Sequence, residues 1–215
     1  NLPSRWQGAT EEETDLIERI AGHALPRFYR WFLMRMGHRT GLNNYASMDF
    51  SAPKILSCYA EELFAPEPRF LMIGYESDEV MPLHLLYDFD HPARDDVRVF
   101  RCMAIGGSST VRFETFREMI AWGTLQTHTR NLPIYCRGIF RDQGEDVSSQ
   151  LHPVMSNHGF RSPIATGPCC TLFEGSDATM VTSCSPTESH GRHAFHLGGS
   201  NKNILRSILG ESATE

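Results

Sequence analysis

No stretch of this chain approaches the ~20 consecutive apolar residues that cross a bilayer, and no basic-then-apolar leader pattern marks its first residues. A membrane partner is therefore not expected, although a chain opening on Asn rather than Met leaves a removed leader or trimmed tag open. Basic runs are missing too: 20 Lys+Arg stand against 26 Asp+Glu, for a net charge of −6. Neutralising phosphates takes clustered Lys and Arg, so general nucleic-acid binding is not expected, whereas an acidic face suits a basic protein. Among the six cysteines, Cys58, Cys102, Cys136, Cys169, Cys170 and Cys184, no CxxC spacing occurs. A chain of 215 residues buries a core without staples, so reduced, mostly buried thiols and a cytoplasmic setting are expected. Neither a solenoid-like repeat nor a low-complexity tract is present. Hydrophobic residues make up 40% and charged residues 21%, the balance of a folded globular chain rather than a disordered one.

Periodicity supplies the elements. "TEEETDLIERI" (10–20) predicts a helix with Thr10 and Glu13 as a capping box and Leu16, Ile17 and Ile20 as its apolar stripe. "LPRFYRWFLMRMG" (25–37) predicts a second helix, opened by Pro26 and closed by Gly37. Its core face is Leu25, Phe28, Tyr29, Phe32, Leu33 and Met36, which leaves Arg27, Arg30, Trp31 and Met34 on the outer side. An exposed aromatic beside arginines is the composition of a protein–protein hot spot, while a neighbouring element covering Trp31 is the plainer reading. "NYASMDF" (44–50) suggests a short strand, followed by a helix capped by Ser51 and ended before Pro66. Segments 69–76, 82–90 and 96–105 read as antiparallel strands, and 112–123 as a helix stopped by Gly123. A polar run at 124–133 marks a boundary between residues 1–125 and 126–215. The second part reads strand–helix–strand–strand–helix (βαββα): "IYCRGIF", "VSSQLHPVMSNHG", "PCCTLFEG", "ATMVTSC" and "NKNILRSILG".

Chemistry-bearing groups are scattered. His190, His193 and His196 in "SHGRHAFH" are the only zinc-like set, but no carboxylate joins them in a metalloprotease pattern, and a solvated loop is expected. Cys169 and Cys170 sit at the start of an apolar strand, with His152, His158 and His190 as conceivable bases that no spacing singles out. "IGGSST" (105–110) lacks the Walker lysine and reads as a turn and cap. Glu76, Asp78, Glu79, Asp88, Asp90, Asp95 and Asp96 fall at strand ends and turns, as a solvated acidic rim able to attract Lys and Arg. "NHGF", with Asn157 and His158, reads as a helix end closed by a left-handed Gly. No cofactor and no metal are expected, and no nucleophile, base and oxyanion donor share a recognisable spacing.

Residues 10–125 resemble the SUKH superfamily. The resemblance rests on "TDLIERI", "LPRFYRWFLMRMG", "SMDFSAPKILSCYAEE", "RFLMIGYESDEVMPLHLLYDF" and "RFETFREMIAWG", in that order. It departs where "ESDEV" replaces a Gly-Asp type turn, and residues 126–215 have no recognised counterpart. The resemblance implies an α+β fold, a curved antiparallel sheet with packed helices, and a non-enzymatic binding module. Many bacterial members are immunity proteins that neutralise a cognate toxin; others, in eukaryotes and large DNA viruses, act on host proteins. The expected function is direct binding of a basic toxin, effector or host protein through Arg30, Trp31, Met34, Glu76, Asp78, Glu79, Asp88 and Asp90. The alternative is a small metal- or Cys/His-dependent hydrolase or nuclease using His190, His193 and Cys170, and self-association through the second part is a third possibility.

Overall fold

The computed structural model describes residues 5–41, 47–78, 80, 82–103, 110–141, 146–187 and 192–212. The chain is α+β and divides into two units, Asn1–Arg117 and Glu118–Glu215. Among the described residues no helix is long and apolar enough to cross a membrane.

The first unit runs α1 (Glu11–Ala21), α2 (Arg27–Met36), β1 (Met48–Asp49), α3 (Ala52–Ala60), β2 (Phe70–Glu76), β3 (Leu83–Ala93), β4 (Asp96–Met103) and β5 (Thr110–Phe113), and it holds the start of α4 (Phe116–Arg130). Its sheet has the order β1-β2-β3-β4-β5, antiparallel throughout. The capping box forms: Glu13 N–H donates to Thr10 Oγ1 at 3.1 Å, and Thr10 N–H to Glu13 Oε2 at 2.8 Å. The buried stripe of α1 is Thr14, Ile17 and Ala21, whereas Leu16 is exposed. Thr14 replaces it because its hydroxyl is satisfied by the Thr10 carbonyl at 3.0 Å and can therefore be buried. From α2, Tyr29, Phe32, Leu33 and Met36 are buried, and Phe28 is half-buried.

Phe116 is the hub of this core. Phe32 and Tyr29 meet it edge to face at 5.0 and 5.4 Å, and Tyr87 meets Tyr29 the same way at 5.2 Å. Such edge contacts are worth ~0.5–1.5 kcal/mol each beyond the area they bury. Helix α4 starts at Phe116 rather than at Arg112. Residues 110–113 instead pair with β4, and the Asp96 carboxylate accepts the N–H groups of Phe116 (2.9 Å) and Arg117 (3.3 Å). Nor does α4 stop at Gly123. The polar run 124–130 is its last two turns, where Thr124 and Thr129 return their hydroxyls to the Ile120 and Leu125 carbonyls.

The second unit takes residues 118–130 of α4, β6 (Ile134–Arg141), α5 (Val147–Asn157), β7 (Cys170–Glu174), β8 (Ala178–Ser183), β9 (Arg192–Gly199) and α6 (Lys202–Ser212). The sheet order is β6-β9-β8-β7, antiparallel. Strand β9 stands where the sequence suggested a solvated histidine loop, and it makes this part βαβββα. Its inward set, Phe195 and Leu197, joins Phe173, Met180 and Ala178 against Leu151, Met155, Leu205 and Ile208 of α5 and α6. The opposite face carries His196, Tyr135 and Thr179, and α4 meets it there: His196 faces Gln126 at 3.3 Å, and the Thr129 and Thr179 hydroxyls share a 2.7 Å bond. A helix layer thus lies on each face of this sheet. Pro153 sits inside α5, and Gly159 follows the helix end at φ +77°, the left-handed turn read from "NHGF".

Candidate functional site

On the outer side of α2, Trp31 and Met34 are 44% and 40% exposed. Each is nonetheless anchored at its base: the Trp31 ring stacks on Phe28 at 5.6 Å, and the Met34 sulfur accepts the Thr14 hydroxyl at 3.4 Å. Arg30 beside them reaches back to α1, donating to Asp15 at 2.8 Å and to Glu18 at 3.3 Å. Glu18 also receives the Leu25 N–H at 3.1 Å, which fastens the turn between the helices. The guanidinium therefore serves first to pin α2 to α1. Glu11 and Glu12, in the first turn of α1, are exposed as well. An aromatic held in place before contact loses little rotamer entropy on binding.

The strand-end carboxylates do not form one solvated rim. Asp88 is buried and takes a bidentate guanidinium from Arg69, at 2.9 and 3.0 Å, with His91 at 2.8 Å. Burial raises its pKa, but the Arg69 and His91 hydrogen bonds outweigh that and hold it below the usual carboxylate range. Glu76 is buried beside Arg101 at 3.4 Å, and its own N–H donates to His84 Nδ1 at 3.1 Å. Asp96 is buried on three backbone N–H groups, those of Val97, Phe116 and Arg117. All three charges are spent within the fold, for a reason a strand pattern does not show: each has a cation or a helix end across the sheet. Asp78, Asp90 and Asp95 are exposed, with Asp78 accepting the Val80 N–H at 2.8 Å and Asp90 lying 3.2 Å from Arg69. Glu79 lies outside the described residues.

In the second unit the histidines separate. His190 lies outside the described residues. His193 is 7% exposed, on the β9 face that carries Phe195 and Leu197, whereas His196 is on the opposite face. Strand alternation forces that split, since residues three apart point to opposite sides. Cys170 is 2% exposed and shares its side of β7 with Leu172, which lines a cleft with Thr124 and His128 of α4. His193 and Cys170 thus belong to opposite faces of one sheet and do not form one centre. None of the six cysteines is in a disulfide, and burial raises the pKa of Cys58 and Cys136, which suppresses nucleophilic thiolate. Among the described residues no group of three His, Cys, Asp or Glu is placed to hold a metal ion. An open cleft of about 490 Å³ in the first unit is lined by His38, Asp49, Ser51 and Ser77, among others. Its polar groups are largely engaged: His38 meets Glu13 at 2.7 Å, and Asp49 accepts the Ser51 N–H at 2.8 Å.

What the sequence missed is a pair formed by Tyr135 and His196, 2.6 Å apart. Only recognition of β9 as a strand in register with β6 would have brought them together. Neither a family model, nor a curated protein, nor a solved structure matches this chain.

Proposed function

We propose that this protein is a non-enzymatic binding module of the SUKH kind, which neutralises a basic toxin, effector or host protein by direct contact in the cytoplasm. The observation that supports this most is the α2 surface: Trp31 and Met34 are exposed, yet held by Phe28 and Thr14. Helix α1, pinned to α2 through Arg30, adds the exposed Glu11 and Glu12, negative charge suited to Lys and Arg on a partner. Trp31 is the anchor that enters a pocket. The α1 carboxylates, with Asp78 and Asp90, supply long-range attraction rather than buried pairs, a role in which rim charges mainly set the association rate. Asp88 and Glu76 take no direct part, because their charges are already spent on Arg69 and Arg101.

The test begins with capture of a basic protein from native lysate, its elution by salt, and its purification for titration calorimetry. Trp31→Ala is expected to weaken that association by about 30-fold or more, the size of a hot-spot loss of ~2 kcal/mol. Asp78→Lys with Asp90→Lys is expected to slow association and flatten its salt dependence. Affinity unchanged by both sets of substitutions removes this surface from the function.

A further inference from the structure

We propose that the α4-facing side of the second sheet carries a binding site for a phosphate group, formed by Tyr135, Arg137, His196 and Arg130. Register places the first three together. Tyr135 and Arg137 are two residues apart on β6, hence on one face, and Arg137 is the cross-strand partner of His196. Opposite Tyr135 stands Gly198, where a Cβ would collide with the Thr129 carbonyl oxygen. That close approach, with the bond from Thr129 to Thr179, fixes the end of α4 over β9 and β8 and so sets the position of Arg130, the next residue.

The hydrogen bonds give the site a direction. The Gln126 side-chain nitrogen lies 3.3 Å from His196 Nε2, and the Tyr135 hydroxyl lies 2.6 Å from Nδ1. An amide N–H donating to Nε2 leaves the ring proton on Nδ1, where it is donated to the Tyr135 oxygen. The phenolic proton is then turned away from the ring, available to an acceptor beside the guanidiniums. Burial, and after it the positive charges of Arg130 and Arg137, hold His196 below its ordinary pKa, so the ring stays neutral at physiological pH. Arg30, Arg69, Arg94, Arg101 and Arg161 each hold a carboxylate of the same chain, whereas Arg130 and Arg137 are exposed with none among the described residues. Two uncompensated guanidiniums and a phenol donor oriented by the neutral imidazole fit an oxyanion carrying about two negative charges, and arginine suits phosphate geometry in particular. None of these residues belongs to the α2 surface, so this site stands or falls apart from the binding role proposed above.

The experiment is titration of inorganic phosphate into the full chain near neutral pH at constant ionic strength, read by NMR at the His196 ring. Saturable binding with a rise in the His196 pKa is expected, since an anion that favours the imidazolium must itself be favoured by it. Arg137→Gln is expected to weaken binding by about tenfold, the loss of one charge-assisted contact, and Tyr135→Phe by several-fold. Arg206→Gln, on α6 across the sheet, should leave it unchanged. A nucleoside monophosphate binding more tightly than inorganic phosphate assigns the site to a nucleotide, with Trp122, 5.8 Å from the His196 ring, as the neighbouring aromatic; equal affinities assign it to free phosphate. Two results overturn the proposal: no saturable change at His196 with millimolar phosphate, or an equal loss in Arg137→Gln and Arg206→Gln.

Discussion

Asp96 shows how much one side chain can carry. Its two oxygens receive three backbone N–H groups, two of them at the exposed donor end of α4, and its burial raises its pKa. Replacement by Ala leaves buried donors unsatisfied and is expected to cost ~2–4 kcal/mol in denaturant unfolding, whereas Asn, which keeps an acceptor oxygen, costs less. The pH dependence has a definite sign. The folded state holds the Asp96 proton more tightly than the unfolded chain, so this group contributes a fall in stability as pH rises from its ordinary value, 3.8, through the raised folded value. Asp96→Asn should remove that component from a pH series of unfolding curves. Sequence could identify Asp96 only as a turn carboxylate, because two of the three N–H groups it binds lie about 20 residues downstream.

Elements were legible where the apolar pattern and the local caps agreed. Helices α1 and α2, with Thr10 and Gly37 at their ends, and the β2–β3–β4 meander all fall within a few residues of their patterns. Strands β5 and β9 were not read from the sequence, and α4 was read with other bounds, as 112–123. Strand β9 is polar by sequence because its face toward α4 carries His196, which meets Gln126 and lies edge-on to Trp122, so its alternation of histidines with Phe195 and Leu197 resembled a loop. Helix α4 crosses Gly123, a position costing ~1 kcal/mol relative to Ala, because packing on both sides of that residue outweighs propensity. The α4–β9 contact also explains Gly198. Adding even one methyl there forces the Thr129 carbonyl away, and Gly198→Ala is expected to destabilise by ~1–3 kcal/mol, measurable as a lowered midpoint with unchanged denaturant dependence.

At the scale of the whole molecule, two imidazoles make the fold sensitive to acid. His84 in the first unit and His196 in the second are both held neutral, principally by burial. An unfolded chain takes up protons at these rings near pH 6.5 while the folded one resists, so stability is full above that value and falls as pH drops below it. Asp88, with its pKa lowered, extends the loss to still lower pH as the Arg69 pair is neutralised. Unfolding curves between neutral pH and pH ~5 should show a progressive drop, smaller in His84→Gln than in the parent. A profile flat through that range would mean that His84 is not the buried acceptor of the Glu76 N–H described above. The candidate surface on α2 was legible because an off-stripe Trp needs no tertiary knowledge to notice. The buried roles of Glu76, Asp88 and Asp96 were not, because charge alone does not disclose a partner across a sheet.

The carboxylate that opens α4 belongs to the first residue of β4, not to the residues that lead directly into the helix. The helix therefore takes its origin from a fixed point on the sheet. An acceptor at position 96 thus holds Phe116 at its depth among Tyr29, Phe32 and Tyr87, whatever residues precede the helix in sequence.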